Sequence, residues 1–392
     1  MKRILIASFD MEVGGVERSL ISLLNNFDYE HHEIDLMLYR HTGDFLNLIP
    51  PQTNVLEESK AYKTFRMSIR EIVQSGNIRI GFARLLAKYR ASLIQSPEIG
   101  YRQMQFMWKY TMPFLPKHTK TYDVAISYLW PHYFVAEKVR ATTKIAWIHT
   151  DFSTVDIDVK MDLRIWKAYD SIIAVSEECK NAFIRKFPSL EAKVEVVENI
   201  TSPDIVTALS EAEGEHAMAK EKRFKIVTVA RLSHAKGIDR AIKALALLKK
   251  QGYENIAWFV VGYGGDEAEL QDLIVENNLE ESFFLLGKRT NPYPIMKAAD
   301  LYVQPSRYEG KAVTVGEAQI LAKPVLITNY PTAQSQVRDR LDGVICEQSI
   351  EGIAQGIADL YNDPQWRTEL IRNCEQTDYQ NSHELEKLYK LI

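Results

Sequence analysis

At 392 residues the chain is too long for one ordinary core and implies two domains of usual size. Its 46% hydrophobic and 26% charged residues are the balance of a globular enzyme. A formal net charge of −4 lacks the basic signature of nucleic-acid binding, so no nucleic-acid partner is expected. Cys179, Cys346 and Cys374 form no Cys-x-x-Cys pair and cannot pair completely, which favours a reducing, cytoplasmic compartment over a disulfide framework or a zinc site. The apolar run in MKRILIASFD is too short for a signal peptide and reads as a first strand. No run of about 18 apolar residues is present to span a membrane.

Arg3 to Ser8 fits a buried strand. Gly14 and Gly15 follow as a turn where backbone can approach a ligand, and Leu20, Ile21, Leu23, Leu24 and Phe27 then recur at helical spacing. Strand, glycine turn and helix open a doubly wound α/β domain, although the G-x-G-x-x-G dinucleotide fingerprint is absent. Glu33 to Tyr39 and Asn54 to Leu56 read as the next strands. Regular alternation resumes with a strand at Tyr122 to Tyr128, a helix at Pro131 to Arg140 and a strand at Lys144 to Ile148. His149 therefore falls at a strand's carboxyl end, where open α/β sheets hold ligands. Asp156 and Asp158 form an Asp-x-Asp, but their surroundings read as a loop entering a helix rather than a metal site. Ser171 to Val175 is a strand, Ser176 is a helix N-cap, and Lys193 to Val197 closes this half.

Between these strands the texture changes. Residues 60–120 hold twelve Lys and Arg against only Glu71 and Glu98, interleaved with large apolar and aromatic side chains. Basic helices of that kind suit an anionic membrane surface. The same pattern also fits an acidic soluble acceptor, or an ordinary core with a solvated basic face.

Residues 201–222 read as a connection with a short helical piece. From Phe224 a second α/β series begins: strands at 224–230, 257–261, 283–286, 301–303 and 324–328, with helices between them. Such alternation implies a parallel sheet with right-handed crossovers. Arg231 and Lys236 lie in the loop after its first strand, a planar fork and a compact charge suited to phosphate oxygens. In SRYEGKAVTVGEAQILAKPVL, Glu309 stands at a strand-to-helix turn and Glu317 eight residues on, inside a helix that begins near Ala312. The N–H groups at that helix start form a ready anion site.

These pieces taken together resemble the family-4 retaining glycosyltransferases of the GT-B fold, also called glycosyl transferases group 1. GGVER, VSEECKNAF, VARLSHAKG, VGYGGDEAELQ, LGKR and AADLYVQPSRYEGKAVTVGEAQILAKPVL carry the resemblance, which covers the second half and the ends of the first. It implies two Rossmann-like doubly wound domains facing each other across a cleft: an acceptor domain at 1–200, a linker at 201–222 and a donor domain at 223–375. A last helix within 376–392 would cross back to the first domain. By the same resemblance the catalytic set is Glu309, His149, Arg231 and Lys236. Arg231 and Lys236 would neutralise a donor diphosphate, Glu317 would take the ribose hydroxyls, and Glu309 would lie by the donor sugar. Gly310, Lys311, Ala312, Val313 and Thr314 would hold sugar and phosphate oxygens, Lys288 and Arg289 would border the base, and Gly14 and Gly15 would floor the cleft. The implied partners are a nucleotide-sugar donor, mostly a UDP-sugar, and a lipid-linked or polymeric glycan acceptor. The implied location is the inner face of the cell membrane, with an anionic membrane surface as a further partner; no metal and no other cofactor is expected.

Two residues depart from the family pattern. Lys311 and Ala312 replace the usual Phe-Gly after Gly310, and Gly265 replaces a proline. Lys311 either favours an acidic sugar or points to solvent. The same scaffold is also compatible with a phosphorylase, a nucleotide-sugar epimerase, or a degenerate nucleotide-binding scaffold.

Overall fold

A computed structural model describes residues 1–94, 99–212 and 218–392; Glu98 and positions 213–217 of the expected linker lie outside the described residues. One sheet holds β1 (Lys2–Ser8), β2 (His32–Leu38), β3 (Asn54–Val55), β4 (Thr121–Ser127), β5 (Arg140–Ile148), β6 (Ser171–Ala174) and β7 (Val194–Val196), in the order β3-β2-β1-β4-β5-β6-β7. A second sheet holds β8 (Phe224–Val229), β9 (Ile256–Val261), β10 (Phe283–Leu285), β11 (Leu301–Gln304), β12 (Val325–Thr328) and β13 (Val344–Cys346), ordered β10-β9-β8-β11-β12-β13. Every strand pair in both is parallel. In each sheet the order reverses at one place, between β1 and β4 and between β8 and β11. The connections leave in opposite directions there, which opens a crevice beyond the carboxyl ends.

The strands of the second sheet are covered on both faces, so they read as continuous apolar runs rather than alternations. In β9 all six residues, IAWFVV, are buried. Successive side chains still point to opposite faces. Ile226, Trp258, Val260 and Leu326 pack in one core with the helix Ile238–Lys250, while Val227, Phe259, Val261 and Ile327 pack in the other with the helix Val313–Ile320. Ser176 caps its helix as expected, its Oγ accepting from Cys179 N at 3.1 Å. The strand β13 and the helices Ile350–Asn362 and Pro364–Glu375 complete the second sheet's surroundings and were not individually legible in the sequence.

The chain divides into two compact units: Met1–Glu12, Val16–Asn199 and His383–Ile392 form one, and Val13–Gly15 with Ile200–Ser382 the other. The stretch read as a linker is partly core. Its helix Pro203–Ser210 contributes Val206 to the same cluster as Tyr293 and Val315, and Met218 joins them. Pro203 sits in the first turn, where a missing N–H costs nothing. The last helix, His383–Leu391, packs within the first unit. The Tyr389 ring stacks on His32 at 5.3 Å and its hydroxyl accepts from Asp28 N, while buried Glu384 accepts from Glu198 N at 3.0 Å. Leu388 is fully buried there. Leu388→Ala should therefore destabilise the first unit by about 2–5 kcal/mol, read as an earlier urea transition with the second unit's transition unmoved.

Candidate functional site

The strands β8 and β11 are neighbours at the second sheet's reversal point, and the loops leaving them are locked together. Arg307, after β11, makes a bidentate pair with Asp239, with its two nitrogens 2.7 and 2.6 Å from the carboxylate oxygens. Burial opposes ionisation of Asp239, but the Arg307 hydrogen bonds and charge outweigh it and hold the carboxyl below its usual range. Arg307 also donates to His234 O, and its own N–H to Ala235 O. Gly237 lets the loops approach: at φ +66, an added Cβ would lie 2.1 Å from Pro305 O. Lys236, in the β8 loop, thereby reaches Glu309, in the β11 loop, with Nζ 2.5 Å from Oε2.

Glu309 is buried, so its charge must be compensated. Its Oε1 accepts from Ser306 Oγ at 2.7 Å and Gln304 Nε2 at 3.0 Å, leaving Oε2 to Lys236. Gln304 is held in turn by Tyr302 OH, which donates to its Oε1 at 2.6 Å. Thr332 Oγ1 donates to the Glu309 carbonyl at 3.0 Å. None of Gln304, Ser306, Tyr302 and Thr332 was singled out from the sequence. Their signal is positional: QPS continues β11 into the turn, and polar residues in a buried strand end need partners.

The helix Val313–Ile320 starts just beyond, on Ala312, with no side chain capping it. Its opening is partly engaged, because the Ala312 N–H donates to Gln336 Oε1 at 3.1 Å. A ligand oxygen at that N–H has to displace Gln336. Thr314 Oγ1 hydrogen-bonds with Tyr302 OH at 2.7 Å. Glu317 is buried on this helix and accepts from Tyr293 OH at 2.8 Å, an orienting contact the sequence did not announce. Arg231 is exposed after β8, Lys288 lies over the Tyr263 ring at 5.1 Å, and Arg289 is exposed. Gly310 is buried, and Lys311 and Val313 are partly so. The structure thus brings Lys236 and Glu309 into contact within the second unit. A groove of about 850 Å³ lined by Arg223, Lys249, Glu254 and Glu276 lies instead at the amino ends of β8, β9 and β10, the wrong end for a ligand in such a sheet.

In the first unit His149 follows β5, its ring stacked on Trp147 and 4.6 Å from that of Tyr128, with no partner at Nε2. Burial pushes its pKa down to about 3, so the imidazole is neutral near pH 7. His132, fully enclosed and hydrogen-bonded to Ser127 Oγ at 2.8 Å, is likewise pushed to about 3 by burial and by the His149 charge. Asp156 pairs with Arg102 at 2.9 Å, and Asp158 caps the helix Val159–Trp166, so both have structural tasks. A cavity of about 220 Å³ opens at the carboxyl ends of β1, β4 and β5, lined by Phe9, Tyr101, Trp130, Phe152 and Arg66 among others. Arg66 pairs with buried Asp10 at 2.7 Å, and Trp130 Nε1 donates to Asp162, whose carboxyl burial raises to about 6. Gly15 begins the helix Gly15–Asn25, and a Cβ there would point into open space.

His132 and His149 carry a pH signature. Below pH 6.5 the unfolded chain takes up protons that folded His132 and His149 refuse, so stability falls as pH drops from 6.5 towards 3. Each contributes up to about 1.4 kcal/mol per pH unit in that window. His149→Gln should flatten the acid limb of stability, measured as urea midpoints between neutral and mildly acidic pH.

The chain resembles known proteins in sequence over its second unit and solved structures in fold over its whole length. Residues 211–377 match the family described as Glycosyl transferases group 1. The poly(glycerol-phosphate) alpha-glucosyltransferase of Bacillus subtilis is 31% identical over 144 residues, 36% of this chain and 21% of that protein. An alpha-1,4-N-acetyl-D-galactosaminyltransferase of Campylobacter jejuni, named for a diNAcBac-PP-undecaprenol-linked substrate, is 27% identical over 177 residues, 44% of this chain and 48% of its own length. The matched stretches cover 43% and 50% of two archaeal relatives, so the chain spans about half the length of such proteins in these alignments. In fold, Anabaena HepE in complex with UDP and glucose superposes with a TM-score of 0.69 at 18% identity, covering 100% of this chain and 99% of that one. Two parallel-sheet Rossmann-like units and this likeness establish the GT-B fold class. The second unit carries a glycosyl transferases group 1 domain, the family to which its motifs point.

Proposed function

We propose that the chain is a retaining, metal-independent glycosyltransferase that moves a sugar from a nucleotide-sugar, with a UDP-sugar as donor, to a lipid-linked glycan or a polysaccharide or teichoic-acid precursor. The observation that carries this is the buried Glu309 held by Lys236 at the β8–β11 reversal point. It is supported by relatives named for a poly(glycerol-phosphate) and an undecaprenol-linked substrate, and by a fold neighbour bound to UDP and glucose.

The hard step is departure of the nucleoside diphosphate. Arg231, Lys236 and the start of the helix Val313–Ile320 supply positive charge where negative charge develops, without a metal. Glu309 is built to lend its lysine. When Lys236 turns to phosphate, Oε1 keeps the Ser306 and Gln304 hydrogen bonds, and Oε2 becomes an acceptor for a sugar hydroxyl. Glu317, oriented by Tyr293, takes the ribose hydroxyls. His149 serves as a neutral hydrogen-bonding group, not a cation. The acceptor oxygen attacks the anomeric carbon from the side the diphosphate leaves. The bond to phosphate oxygen breaks, and the leaving diphosphate takes the acceptor's proton. The reaction takes place on the inner face of the cell membrane, with the basic segment 60–120 at the lipid surface.

Glu309→Ala and Arg231→Ala should each lower UDP-sugar turnover by about 10²–10³-fold, Arg231→Ala with a melting temperature near that of the parent chain, and EDTA should leave the rate unchanged. Full activity in both variants would overturn the mechanism, and tight nucleotide binding without turnover on any acceptor would mark a binding protein. Gly15→Ala should leave stability intact and weaken donor binding, measured by calorimetric titration of UDP.

A further inference from the structure

The helix Ile78–Ser92 is inverted relative to an ordinary surface helix. Its inward face is small: Gly81, Ala83, Ala87 and Ala91 are buried beside Ile80. Its outward face carries Ile78, Phe82, Leu85, Leu86, Tyr89 and the following Leu93, each 40–70% exposed. Six of the fifteen most exposed large apolar side chains among the described residues thus fall within sixteen positions. At roughly 100° per residue these six share an arc of about 100°, a continuous ridge along the helix. On that wheel Arg79 and Arg90 flank one side of the ridge and Lys88 the other, all three exposed. The helix contains no acidic residue, and neither does its neighbour Ile99–Thr111.

We infer that this ridge is the element that seats the protein on an anionic lipid surface, with the six apolar side chains entering the acyl boundary and Arg79, Lys88 and Arg90 at the headgroups. This rests on, and makes specific, the membrane-surface part of the function proposed above. A monomer ordinarily keeps such a continuous apolar face covered. A second copy of the chain is a poor occupant, because it would bring the exposed Arg79, Lys88 and Arg90 flanking one ridge against those flanking the other. A protruding apolar ridge flanked by cations matches the interfacial helix pattern, in which apolar insertion and attraction to anionic lipid act together.

The test is flotation of the full chain with phosphatidylcholine vesicles, with and without phosphatidylglycerol, at low and high salt. The parent chain should float with the anionic vesicles at low salt. The combined Phe82→Ser, Leu86→Ser and Tyr89→Ser variant should bind them at least ~10-fold more weakly. Arg79→Gln, Lys88→Gln and Arg90→Gln together should abolish the preference for phosphatidylglycerol. Phe82→Ser alone serves if the combined variant does not fold. Donor turnover with a soluble acceptor should be unchanged in all of them, which keeps failure of the transferase reading separate from failure of this one. Flotation of the apolar variants equal to the parent's would overturn the proposal. So would a parent dimer in sedimentation that the same serines dissolve, since the ridge would then belong to a second copy.

Discussion

Glu309 is a buried carboxylate, and the architecture of the second unit follows from how it is compensated. An isolated charge taken out of water is costly, and an ion pair alone recovers that cost only with good geometry and further hydrogen bonds. Lys236 supplies the opposite charge, while Ser306 and Gln304 satisfy the other oxygen. The pairing requires β8 and β11 to be neighbours although β9 and β10 intervene in sequence, which is what the parallel order with its reversal provides. It also requires their loops to touch, which Gly237 permits and the Arg307–Asp239 fork enforces. A second glycine works the same way one strand over. Gly262 has φ +155, and a Cβ there would lie 1.8 Å from Ala230 O, so the β9 turn nests against the β8 loop that carries Arg231.

The first unit uses the same sheet order for different chemistry. Its reversal point, between β1 and β4, borders a mostly aromatic cavity that also holds Arg66, paired with Asp10, and desolvation keeps His132 and His149 neutral.

Legibility in the sequence followed the physics of each segment. The helix Ile238–Lys250 and the runs at β8, β9 and β11 were readable because burial on both faces forces uninterrupted apolar strands between amphipathic helices. Lys236 and Glu309 were readable because charged residues at strand ends have few other reasons to cluster, and the two are in contact. Gln304, Ser306 and Tyr293 were not, because a hydrogen bond to a buried carboxylate leaves no periodic trace. The stretch at 201–222 looked like a linker because its apolar residues are sparse, yet Val206 and Met218 reach the core. One buried apolar residue on the helix and one beyond it hold the stretch to the core but are too few to make a pattern.

The basic segment shows a further limit of pattern reading. Amphipathic spacing states that a helix has an apolar side, not that the side faces inward. For the helix Ile78–Ser92 the deciding quantity is volume. Alanines and a glycine allow close packing against the neighbouring helices, and Gly81 is tight enough that a Cβ would lie 2.9 Å from a Val73 methyl. Turning the helix over would force Phe82, Leu86 and Tyr89 into that narrow contact, and overpacking costs about 1–3 kcal/mol or more for each misplaced bulk. The small face must therefore go in, and the large apolar face is left for something other than the chain's own core.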